Sequence, residues 1–75
     1  MIQLNHAELH RCCRVCGFSG SSQITLRMME MGLTRGSLVT PVFEGMSGNI
    51  CAYAVRDSIV ALRNIDTERI EVSYE

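Results

Sequence analysis

The chain has 75 residues, 47% of them hydrophobic, with seven arginines, no lysine and eight acids for a formal charge of -1. One domain of this length hides only ~60% of the surface its unfolded form exposes, which leaves apolar surface for a partner or a second copy. The charge balance excludes a nucleic-acid binder, since no basic run could neutralise a phosphate backbone, and no stretch approaches the ~20 apolar residues of a bilayer span.

Met1-Ile2-Gln3-Leu4-Asn5-His6 lacks the basic and apolar regions of a secretion signal, so residues 1–75 read as one cytoplasmic unit with no direct membrane insertion. Its four cysteines then read as free or metal-bound thiols. Asn5 can cap a helix, Glu8 can reach back to it, and Leu4 and Leu9 flank the cap, which predicts one short N-terminal helical turn. Cys13 to Phe18 alternates weakly and runs into Gly and Ser, as a short strand does. Ser21 or Ser22 starts a helix that Gly32 closes, giving Ser22 to Met31. Within it Ile24, Met28 and Met31 form one buried stripe, while Leu26, Met29 and Leu33 fall nearly opposite.

Thr34-Arg35-Gly36-Ser37 predicts a tight turn, after which the apolar period becomes two. Leu38 to Phe43 is a strand whose Pro41 belongs at an edge or a bulge. A loop over Glu44 to Asn49, a return strand Ile50 to Val55, a turn near Asp57 and a strand Ser58 to Leu62 make a meander. Asn64 can cap a helical turn through Glu68, and Ile70 to Tyr74 is the last strand. A flat sheet of five short strands leaves two edges open, so the expectation is a mainly β fold, a five-stranded SH3-like barrel. Its helix, between the first and second strands, plugs one end.

Cys13-x-x-Cys16 has the spacing at which two thiolates share a metal, and His10, with His6, Cys12 and Cys51, adds donors that zinc prefers. His10, Cys13 and Cys16 are therefore the candidate ligands for zinc or ferrous iron. Against them, a strong zinc signature needs a second pair, and in a strand residues 13 and 16 point to opposite faces. The methionines of the helix fit gap-filling in a core. The apolar side left over, Leu26, Met29 and Leu33, together with Met31 and the loop residue Met46, is the candidate partner surface. No nucleophile, base and orienting group converge, and Gly45 to Gly48 lacks the lysine and helix of a phosphate loop, so neither catalysis nor a required cofactor is expected.

The segment RMMEMGLTRGSLV, residues 27 to 39, resembles the RLLEMGLTPGTEV type of segment in the FeoA family, small cytoplasmic accessory proteins of bacterial ferrous iron uptake. SIVALRNIDTERIEV, residues 58 to 72, is similar to that family's strand ending Ala-Leu-Arg, helical turn and final Ile-x-Val strand. The resemblance spans residues 9 to 73. It implies an SH3-like barrel, no catalysis, and a partnership with FeoB, the ferrous iron permease that carries a cytoplasmic GTP-binding domain. Arg35 stands where the family has a proline, Ser47-Gly48-Asn49 replaces its Gly-Asp-Pro-like turn, and Cys12, Cys13 and Cys16 lie outside its pattern. The competing expectations are a transition-metal-binding or metal-sensing protein built on those three cysteines, and a self-associating homodimer.

Overall fold

Alternating apolar residues build most of the chain into strands. The computed structural model describes residues 1–75 as β1 (Ile2–Gln3), a 3-10 turn (Leu4–His6), β2 (Cys13–Phe18), α1 (Ser22–Glu30), β3 (Leu38–Glu44), β4 (Ile50–Val55), β5 (Ser58–Arg63), α2 (Asn64–Thr67) and β6 (Ile70–Tyr74). Every strand expected from the alternation is present. A sixth, β1, pairs Ile2 with Val72 and Gln3 with Glu71; two residues carry no period, so pattern reading has nothing to detect. The strands form one antiparallel sheet in the order β1-β6-β2-β3-β4-β5. No ladder joins β5 to β1, so the SH3-like sheet is six-stranded and open, and the 3-10 turn packs against α2 beside the break.

The sheet curls around one core, to which β2, β3, β4, β5 and β6 all contribute and which α1 covers with Met28. α1 ends one residue earlier than expected, with Met31 as its cap residue. Gly32, at φ +91°, closes it in the left-handed region that a side chain disfavours. The Leu33 N–H then donates back to the Met28 carbonyl at 2.8 Å. That reversal overturns two side-chain placements. Leu33, expected on the exposed side, is 0% exposed, and Met31, expected in the buried stripe, is 40% exposed. Helical angles do not extend past the residue that breaks the helix.

Two caps also differ. Asn5 does not cap the N-terminal turn: the turn begins at Leu4 behind Gln3, and Leu4 itself enters the core. Asn64 is the first residue of α2, and its side-chain N–H donates to the Gly48 carbonyl at 2.6 Å instead of closing its own helix. Pro41 sits where expected. The β3–β4 register shifts between Pro41 and Phe43, and β2 pairs only with Leu38 and Val39, so the missing N–H falls beyond that ladder. Asp66 is buried, with a carboxylate oxygen 3.7 Å from Arg27 and 3.5 Å from Arg63, and so ties α1 and β5 to α2.

Candidate docking surface

α1 turns Met28 and Ile24 to the core and leaves Leu26 57% and Met29 50% exposed. Met29 lines a cleft of about 350 Å³ with Phe18 from the end of β2, Thr25 from α1, and Thr34 and Arg35 from the following turn. A second cleft, of about 460 Å³, shares Thr34 and Arg35 and continues over Gly36, Ser37, Leu38 and Arg56. The turn between them is held firmly. The Thr34 N–H donates to Ser37 Oγ at 3.0 Å, the two hydroxyls lie 2.9 Å apart, and Gly36 N–H and Ser37 C=O bond the two backbone groups of Val15.

The charge pattern distinguishes this region. Arg11 pairs with Glu8, Arg14 with Glu75, and Arg27 and Arg63 share Asp66, whereas Arg35 and Arg56, which line these clefts, and Arg69, elsewhere, form no ion pair. The cleft therefore offers apolar walls from Phe18 and Met29 beside unpaired guanidinium groups. That combination suits an apolar side chain next to a carboxylate.

The sequence-derived partner residues do not form one surface. Leu26, Met29 and Met31 lie on or at the end of α1, but Leu33 is in the core and drops out. Met46 is fully exposed at the tip of the β3–β4 connection, separated from Thr34 and Arg35 by the whole of β3, about 20 Å of strand rise. Exposed Phe43, Ile50 and Ile59 were not singled out. Their signal lay in the meander's outward positions, which are apolar as well as the inward ones.

The candidate metal ligands are also apart. Cys13 lies in the core with its thiol 3.6 Å from the Arg11 carbonyl, and burial pushes that thiol up. Cys16 occupies the extra position where the β2–β6 register shifts between Val15 and Gly17, and its thiol turns to Ser73 Oγ at 3.5 Å. His10 is exposed on the loop before β2, at φ +70°. Cys12 is half-buried and Cys51 is in the core, where burial pushes its thiol up too. All four thiols are free, and nowhere do three His, Cys, Asp or Glu side chains gather closely enough to hold a metal ion. Tyr53, buried beside Thr67 and Cys51, has its hydroxyl pushed well above the usual phenol range by loss of water.

A family model described as FeoA domain matches residues 2–74. Among solved structures, an FeoA-like protein from Clostridium acetobutylicum is 26% identical, with TM-score 0.88 over 97% of this chain and 85% of its own. The iron(II) transport protein A from Clostridium thermocellum, 18% identical, superposes with TM-score 0.90 over 97% of this chain and 45% of its own. A crystal structure of an iron uptake regulatory protein (FeoA), 18% identical, gives TM-score 0.86 over 99% of this chain and 96% of its own. At 18% identity these last two speak for the fold alone. No curated protein matches the sequence.

Proposed function

Since the chain belongs to the FeoA family, whose members are small accessory proteins of ferrous iron transport, we propose that it docks through the Met29–Arg35 cleft on the cytoplasmic GTP-binding domain of the FeoB permease. On this reading it is a non-enzymatic binding module. No helix is long and apolar enough to cross a membrane, so contact with a permease would be made through surface residues of this domain or of its partner. The observation that carries the reading is the half-exposed Met29 in a cleft rimmed by Arg35, a guanidinium with no carboxylate of its own. An acidic segment with an apolar side chain complements both features. Apolar burial supplies the affinity, and the free charge steers the encounter and fixes the register.

Titration calorimetry against the isolated GTP-binding domain tests this. Met29→Asp and Arg35→Glu each weaken binding by about ten- to a hundredfold, the range expected when a central apolar anchor or a paired charge is lost. Met46→Asp, outside the cleft, leaves it unchanged. Full-strength binding by folded Met29→Asp and Arg35→Glu variants would remove the cleft from the mechanism.

A further inference from the structure

β5 is the last strand of the open sheet, and β4 is its only bonded neighbour. The phase of that ladder fixes which backbone groups are left free. The Asn64 N–H donates to the Asn49 carbonyl at 2.8 Å, and bonded pairs alternate along an antiparallel ladder. Leu62, Val60 and Ser58 therefore bond Cys51, Tyr53 and Val55, while Ile59, Ala61 and Arg63 point N–H and C=O away from β4. Arg63 is also the cap residue of α2 and gives its carbonyl to the first turn of that helix, while no strand pairs with the other five groups. Ser58-Ile-Val-Ala-Leu-Arg63 also lacks the usual devices that protect an edge: it holds no proline, no lysine, no bulge, and a single charge at one end.

We propose that a second copy of this chain pairs its β5 antiparallel to this edge, across a two-fold axis at Ala61. The spacing is self-complementary. With Ala61 opposite its counterpart, Ile59 of each copy faces Arg63 of the other, so the two Ala61 residues exchange both bonds and each Arg63 N–H meets the facing Ile59 carbonyl in one register. Registers centred one residue to either side leave part of this set unpaired. The side chains agree with it: Ala61 is small where the copies meet, and Ile59, 61% exposed, lies along the stem of the facing Arg63.

Charge also selects this partner. Asp57, in the turn that leads into β5, forms no ion pair within the molecule, and the antiparallel register brings that turn to the Arg63 end of the other copy's strand, where the Arg63 guanidinium keeps its outer nitrogens exposed beside its 3.5 Å contact with Asp66. The two-fold makes that pair twice. Such an interface is small, so the dimer is a weak one that forms with rising concentration.

Sedimentation of the full chain from about 1 µM to about 1 mM, read against the 8.4 kDa monomer, with amide exchange measured at both ends of the range, tests the proposal. The mass doubles, and the Ala61 and Arg63 amides gain protection with concentration. Asp57→Arg weakens the dimer by about tenfold and Asp57→Asn by less, with Arg63 left in place because it also holds buried Asp66. Ala61→Lys, whose side chain faces solvent in the monomer, abolishes the dimer while leaving the melting temperature of dilute protein unchanged. A mass fixed at the monomer, protection elsewhere, protection only when a different protein is added, or full-strength dimerisation of Asp57→Arg would each overturn the proposal. Because Met29 and Arg35 lie outside this edge, loss of the dimer and loss of permease-domain binding are separate results.

Discussion

Leu26 and Leu33 occupy the same side of an extrapolated helix, and the structure assigns them opposite fates. Leu33→Ala removes a side chain that is 0% exposed among Met28, Val39 and Val55 of the core cluster. Such a truncation loses the transfer free energy of its methyl groups and leaves a cavity, together about 3 kcal/mol. A 75-residue domain has about 4 to 11 kcal/mol in all, so the change consumes a large share and lowers the melting temperature by roughly 12 to 24 °C. Leu26→Ala, at a position 57% exposed, shifts stability by no more than about 0.5 kcal/mol. Urea denaturation of both variants, with the slope of each transition checked against the parent, measures the contrast directly. Equal losses, or a small loss for Leu33→Ala, would mean that the chain does not reverse at Gly32 and that α1 packs by simple helical period.

Gly32→Ala tests the same reversal from the backbone: Val55 Cγ1 is 3.6 Å from the added Cβ, so space is available and the about 1 to 2 kcal/mol lost in denaturation comes from the positive φ alone. Native thiol labelling followed by mass spectrometry modifies the partly exposed Cys12 and Cys16 first, because Cys13 and Cys51 are buried with raised thiol pKa values; equal rates at all four would contradict the placement. Arg14 bonds both carboxylate oxygens of Glu75, at 3.0 and 2.7 Å, and holds that carboxyl below its ordinary 4.5. A depressed folded value gives stability that is present above pH 4.5 and lost as pH falls through the lower folded value. Denaturation midpoints measured across that acid range fall with a shallower slope in Glu75→Gln.

Most of the strand and helix content could be read in advance because each element longer than four residues carries its own local signal. β6 alternates, β3, β4 and β5 are short apolar and β-branched runs between turn residues, and α1 is bracketed by serines and Gly32. What escaped was information held between elements. β1 is strand only because β6 lies beside it, Asn64 serves the distant Gly48 carbonyl, and the opening between β5 and β1 depends on how far the sheet curls. The site was legible in part for the same reason. Met29 and Leu26 could be read as outward from the helix, while the cleft needs Phe18 from β2 and Arg35 from the turn, which only the fold brings to Met29. That Cys13 and Cys16 sit in different surroundings was foreseeable from strand alternation, whereas the register shift at Cys16 was not.

A chain that is 47% hydrophobic and this short must leave apolar side chains outside, and eleven large ones are at least 40% exposed. Exposure by itself therefore does not identify a surface that works. Arrangement does. Met46 stands fully exposed on a loop tip and lines none of the clefts. Met29 stands beside a cleft and an unpaired guanidinium, and Ile59 beside backbone donors and acceptors in a fixed phase. Each of those pairs an apolar group that supplies affinity with a polar group whose geometry restricts what can bind. The two restrict different partners: a free cation beside a cleft favours an acidic segment of any backbone shape, and an unpaired strand edge admits only another strand. On the two proposals made above, the same small domain would present both surfaces without a second core to support them.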